Sequence, residues 1–423
     1  MHIKDFDPYE FSKTEASGID VYHKNLPWAP CIHIYFTFSV GAFSDPVGKE
    51  GLAHFLEHMV GNGSPLLPDK KAIKEFSRIY MLNSQNAFTG HYQSAYIGKC
   101  LPEHFPKVLE AMKDYVFHPY LRPEDAEHER KVITEEAWSR YKNAKFLAYA
   151  KEVSTNQFHG HERSRIASPL GWPDTVQKID TDDLSRFHKE TYIKENLTVF
   201  LVGAVEDEHL ALLTKALADI PSGEKATLHP GTIEKPLESR FERQGADIGH
   251  MSEQASFVIS RALSRAIDEE EMVGSQAQTF LKDALYERLR IEQSLCYGVS
   301  VGISAYRDYE IIGISVDTSR DKIETVEKEV WNVIREIKEG VWEKRFEGIH
   351  ALALDQMRSK ERLSGNIIEE SSDEFVVRGR IIPLKEMLKK AEAVTYDKVR
   401  EFITRMFDPE FVFTEIILPG EKK

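Results

Sequence analysis

The sequence predicts an α+β protein built from one unit of about 210 residues used twice. Three observations carry that expectation. Residues 31–40 alternate, with Ile32, Ile34, Phe36, Phe38 and Val40 on one face and mixed residues on the other, the period of a half-buried strand. Phe105, Val108, Leu109, Met112 and Val116 recur at helical spacing between Pro102 and Pro119. The second half then restarts the first. Residues 254–260 resemble the strand at 31–40, and residues 278–283 can be laid over 53–58. A helix and an apolar strand over 181–203 resemble 395–420.

Taken in order, the strand at 31–40 leads through a turn between Gly41 and Gly48 into a helix that stops at Gly61 and Gly63. A helix follows over 70–82, a strand over 94–100 and a helix over 102–117. Pro119 ends that helix, and Pro123 sits in the first turn of the next, which runs past residue 140. A helix over 181–191, a strand over 197–202 and a helix from 206 to 218 complete the first half. The polar stretch opened by Pro221, Ser222 and Gly223 reads as a linker. The expected organisation is therefore a first domain over 1–220, a linker over 221–245 and a second, homologous domain over 246–423.

Bulk composition excludes several function classes. The 55 Lys and Arg against 69 Asp and Glu leave a net charge of −14, which argues against nucleic acid, whose binders are basic. Such acidity suits a basic or unstructured peptide ligand, or solubility alone. The three cysteines, Cys31, Cys100 and Cys296, are scattered and odd in number, so neither a disulfide framework nor a cysteine zinc site is expected. The first nine residues show no basic-then-apolar pattern, and no run reaches the roughly 18 apolar residues of a membrane helix. The expectation is a cytoplasmic chain that does not engage membranes.

The chemistry concentrates in 51–64. His54, Glu57 and His58 stand in the order His-x-x-Glu-His. On a helix, residues i and i+4 share a face and i+3 lies between them. Both imidazoles can thus reach one metal ion, with Glu57 on the same side. Apolar Leu52, Phe55, Leu56 and Met59 flank them as in a buried helix. This is the mirrored order of the His-Glu-x-x-His zinc helix. Alone, the bland alternative is an amphipathic helix with two ordinary histidines. A catalytic zinc takes three protein ligands and keeps a fourth position open, so the third must come from another helix. Glu136 and Glu135 are the candidates. Glu129 and Glu136 are seven residues apart and share a helix face, whereas Glu135 lies about 100° round from Glu136.

Residues 51–59, Asn86-Ala87-Phe88-Thr89 and the run from Glu129 to Glu136 match, in order and spacing, the pitrilysin-like (inverzincin) zinc metallopeptidases, and the length resembles their half-length, two-domain class. The resemblance implies one Zn2+ per chain on His54, His58 and Glu136. Glu129 would be the carboxylate that orients a ligand histidine. The spacing from His58 to Glu136 is a residue or so longer than usual in the family, which keeps Glu135 as the alternative ligand. In the second half, Arg290 and Tyr297 fall on the family's Arg-x6-Tyr spacing, and the resemblance makes them donors to the substrate backbone and the developing oxyanion. Ser294 stands where the family usually has glycine, Cys296 occupies a small-residue position, and Asn62-Gly63-Ser64 departs from the commoner sequence after the metal helix.

The implied fold is two homologous domains, each a mostly antiparallel sheet with helices packed on one face, forming a four-domain clamshell chamber on dimerisation. Thr279 and Asp283 replace the histidines in the second copy, so one domain would hold the metal. The implied activity is a zinc metalloendopeptidase. Unfolded peptide would add as a strand along Asn86, Ala87, Phe88 and Thr89, and Glu57 would act as general base. A homodimer is the economical arrangement, with a heterodimer as alternative. The competing class is a non-catalytic scaffold or a subunit of a heterodimeric peptidase.

Overall fold

The computed structural model describes residues 6–250, 252–264 and 270–419. In chain order the elements begin with β1 (Ser12–Ala16), β2 (Ile19–Asn25), β3 (Ile32–Phe38), α1 (Leu52–Val60), α2 (Lys70–Tyr80), β4 (Asn86–Thr89) and β5 (Ser94–Cys100). They continue with α3 (Phe105–Phe117), α4 (Pro123–Tyr141), α5 (Ala144–Gln157), α6 (Pro173–Val176), α7 (Thr181–Thr191), β6 (Leu197–Gly203) and α8 (Asp207–Ala216). The second half holds β7 (Arg240–Gln244), β8 (Ala255–Ser264), α9 (Glu271–Tyr286), β9 (Val299–Ala305), β10 (Tyr309–Thr318), α10 (Ile323–Lys338) and α11 (Glu343–Ser359). Then come α12 (Ser364–Arg378), α13 (Leu384–Glu392), α14 (Tyr396–Met406) and β11 (Phe413–Leu418).

Two sheets result. The first has the order β1-β2-β6-β3-β5-β4 and the second β7-β11-β8-β10-β9. In the first only β2 and β6 run parallel, and in the second only β7 and β11. With β1 set aside the two orders are the same, β2 to β6 corresponding one by one to β7 to β11. The duplication faint in the sequence is plain in the topology, and α9 stands between β8 and β9 as α1 stands between β3 and β4. The expected linker over 221–245 contains β7, the counterpart of β2; Arg240, Glu242 and Gln244 make it too polar to read as a strand. Gly420, at the end of the repeated segment, lies outside the described residues.

Packing divides the described residues into two compact units that interleave along the chain. The first draws on 1–140, 166–229 and 362–384; the second on 141–165, 230–361 and 385–423. Within the first unit, the face of β3 bearing Ile32, Ile34, Phe36 and Phe38 packs against Phe55 and Met59 of α1 and against α3 and α7. The expectation that this strand is half-buried is corrected here: every residue of β3 is buried. The other face lies under α12. Ser364 Oγ is 3.0 Å from His33 Nε2, Ser372 Oγ is 3.4 Å from Thr37 Oγ1, and the Phe375 ring lies 5.0 Å from that of Tyr22. A helix more than 300 residues away in sequence thus covers the side that the alternation pattern leaves open. In the second unit, β8 and β10 bury Phe257, Ile259, Ile312 and Ile314 against α9, α10 and α14.

Candidate metal centre

Helix α1 is fixed at both ends. It starts at Gly51, whose φ of 102° belongs to the left-handed region that favours glycine. A Cβ there would stand 2.9 Å from the Leu170 carbonyl oxygen. The Asp45 carboxylate accepts hydrogen bonds from the backbone N–H groups of Gly51 and Ala53, both at 2.8 Å, and so satisfies donors that open the helix. Gly61 ends it. Phe55, Leu56 and Met59 bury one side, which turns His54, Glu57 and His58 toward α4 and β4.

Helix α4 brings two glutamates to this face. Glu136 Oε2 lies 3.8 Å from His54 Nε2 and 3.6 Å from His58 Nε2. The three ligand atoms lie within 4.8 Å of one another, and among the described residues no other group of His, Cys, Asp or Glu converges in this way. Glu135 is exposed and outside the cluster. Glu129 is fully buried, with Oε2 3.0 Å from His58 Nδ1 and Oε1 accepting from Lys70 Nζ at 2.8 Å. Burial alone would raise its carboxyl pKa. The hydrogen bonds from His58 and Lys70 overcome that and hold it at about 2. Glu129 therefore accepts the Nδ1–H of His58, which makes Nε2, facing Glu136, the nitrogen that can give a lone pair to a metal.

The electrostatics fit a cation. Burial, reinforced by His58, pushes the His54 pKa down to about 3, so His54 is neutral and able to ligate. Burial also pulls His58 down, but the bond to Glu129 and the carboxylates of Glu57 and Glu136 more than offset it and hold it above the ordinary value. The surplus of carboxylate that draws a proton to His58 is what a divalent ion would neutralise. Two imidazole nitrogens, one carboxylate oxygen and a carboxylate behind one histidine form a donor set suited to zinc.

Glu57 lies beside the cluster, and its Oε2 accepts from Thr89 Oγ1 at 2.8 Å. Burial raises its carboxyl pKa against the lowering effects of Thr89 and His58. A cleft of about 170 Å³ opens here, lined by Glu57, His58, Lys74, Gln85, Asn86 and Ala87. β4, carrying Asn86, Ala87, Phe88 and Thr89, is an edge strand that, among the described residues, pairs only with β5.

Arg290 and Tyr297 belong to the second unit, where they meet each other. Arg290 lies in the π-helical turn that continues α9, and its guanidinium stands 5.1 Å from the Tyr297 ring centroid. Its Nη1 donates to the Cys296 carbonyl at 3.4 Å, and Tyr297 is 83% exposed. Ser294 takes a φ of 52°, a conformation that favours the glycine expected there. On α9, Thr279 bonds back to the Ser275 carbonyl and Asp283 pairs with Arg345, so the counterparts of the histidines serve local structure. Two contacts escaped sequence reasoning. Lys70 holds Glu129, and Thr89, expected only to line the peptide's path, bonds Glu57. Neither pair is joined by any spacing in the chain.

Two family models match the sequence. That of the insulinase family, peptidase family M16, matches residues 21–166, and one described as the M16 peptidase inactive domain matches 178–351. An uncharacterized zinc protease of Rickettsia bellii is 24% identical over 384 residues, covering 88% of this chain and 89% of its own. The uncharacterized zinc protease YmxG of Bacillus subtilis is 21% identical over 421 residues, covering 96% and 98%. The crystal structure of a peptidase M16 inactive domain from Pseudomonas fluorescens is similar in fold, with a TM-score of 0.83 at 16% identity and coverage of 98% and 99%.

Proposed function

The chain belongs to peptidase family M16, and from that premise we propose that it is a zinc metalloendopeptidase acting on unfolded peptides or precursor segments. The observation that carries this reading is the convergence of His54, His58 and Glu136 with Glu57 beside them. Zinc held by those three residues would supply a Lewis acid for the scissile carbonyl and make water acidic enough to attack near neutral pH. The chain's own groups do the rest. β4 offers its free edge to an extended peptide, whose main chain pairs with it largely without regard to sequence. Thr89 orients the Glu57 carboxylate. Glu57 takes the proton of the attacking water and passes it to the leaving amine. Glu129, gripped by Lys70, keeps the His58 ring in place.

Arg290 and Tyr297 complete the proposal as donors to the substrate and to the tetrahedral oxyanion. The active species is a homodimer, two copies supplying four domains around a chamber, with Arg290 and Tyr297 of one copy serving the metal site of the other. Size-exclusion chromatography with light scattering tests this: a stable, active monomer removes the dimer from the proposal. The three free, buried cysteines fit a cytoplasmic setting, which cell fractionation tests.

The decisive experiment is metal analysis paired with cleavage of a quenched peptide. One zinc per chain is expected, with activity lost to a chelator. Glu57→Gln should keep the metal and lose about a hundredfold or more in kcat. A chain that binds no zinc overturns the mechanism. The second reading is a non-catalytic scaffold or one subunit of a heterodimeric peptidase; the inactive-domain model covers 178–351, outside the metal cluster, and fits either reading. Zinc bound without cleavage by the isolated chain supports the second.

A further inference from the structure

The cleft beside the metal cluster has a basic wall in an acidic protein. Helix α2 presents Lys70, Lys71, Lys74 and Arg78 to a groove that runs on from the cleft, and Glu75 is the one carboxylate among its lining residues. Two of these cations are engaged. Lys70 holds Glu129 at 2.8 Å, and Arg78 holds Glu75 at 2.6 Å. Lys71 and Lys74 are exposed and have no ion-pair partner among the described residues. Lys74 lines the same cleft as Glu57, His58, Asn86 and Ala87. With a net charge of −14 overall, a wall that keeps two cations outside any ion pair runs against the average of the molecule. It also runs against the basic ligand that the net charge suits.

Position along β4 sets the register. Glu57 bonds Thr89 at one end of the strand, while Lys74 shares the cleft with Asn86 and Ala87 at the other. An extended peptide advances about 3.3 Å per residue with side chains alternating between faces, so the residue passing Lys74 lies about two to three positions from the bond beside Glu57. We propose that Lys74, backed by Lys71, selects peptides carrying Asp or Glu about two to three residues from the scissile bond. This rests on the peptidase reading and adds the chemical class of its substrate.

The test uses the zinc-loaded full-length protein and quenched peptides identical except for Glu, Gln or Lys at each position flanking the scissile bond. The readout is the ratio of kcat/KM for the Glu and Gln peptides. A preference of about three- to tenfold for Glu is expected at one position, carried by KM and fading as salt screens the pair. Lys74→Glu should reverse the order, Lys74→Gln should abolish it and Lys74→Arg should keep it. Polarisation of labelled peptides on Glu57→Gln should show the same order in binding without turnover. Cleavage with equal ratios at every position, or a preference unaltered in Lys74→Glu, overturns this inference and leaves the peptidase reading standing. Failure to cleave or bind any peptide overturns both.

Discussion

Glu129 shows how much a single side chain outside the ligand set can decide. It touches His58 and Lys70 with its two oxygens, buried and ionised between them. Replacing it with alanine frees the His58 ring to rotate or change tautomer and strands the Lys70 ammonium. Glu129→Ala is expected to weaken zinc binding about 10- to 100-fold, read by titration against a competing chelator. Unchanged affinity would show that the His58 ring is held by its packing alone. The pairing of Glu129 with Glu136 was legible, because two residues seven apart on a helix share a face. The pairing with Lys70 was not, because the two residues stand on different helices, 59 positions apart, that only tertiary packing brings together.

Elements carry two predictions. The first turn of α1 depends on Asp45, which directly follows the short turn at Ala42–Ser44. Asp45→Ala removes both caps and is expected to cost about 1–2 kcal/mol, measured by urea denaturation. Zinc affinity should fall with it, since His54 stands in that turn. The second concerns α12 and the strand face it covers. Burial, reinforced by Lys99, lowers the His33 pKa to about 4, against about 6.5 in the unfolded chain. Below pH 6.5 the unfolded chain therefore takes up a proton that the folded chain refuses, and stability is lost as pH falls from 6.5 to 4. The loss reaches about 3 kcal/mol. Melting curves over that window should be less steep in pH for His33→Gln than for the wild type. Equal slopes would mean that His33 takes up its proton in the folded state as readily as in the unfolded one.

At the scale of the whole molecule, the two units are not the two halves of the chain. The first unit needs residues 362–384, whose helix α12 lies over His33, Thr37 and Tyr22. A fragment of residues 1–229 is expected to aggregate or to melt without a cooperative transition, because that face of its sheet would be bare. Adding residues 362–384 through a flexible linker should restore a cooperative melt. A soluble, cooperatively folding 1–229 fragment would show that α12 is dispensable.

Sequence alone determined what rests on local periodicity. The His-x-x-Glu-His face of α1, the Glu129 and Glu136 face of α4 and the glycine and proline breakers around them are set over a few residues, where the chain's geometry leaves little choice, and the duplicated order of helix and strand showed only as a faint repeat. Tertiary structure decided what depends on distant segments meeting. It brought His54, His58 and Glu136 together, separated Glu136 from Glu135, joined Thr89 to Glu57 and Lys70 to Glu129, made a strand of 240–244 and laid α12 across β3. No spacing encodes these contacts, because each is set by the packing of whole elements whose apolar faces many partners could cover.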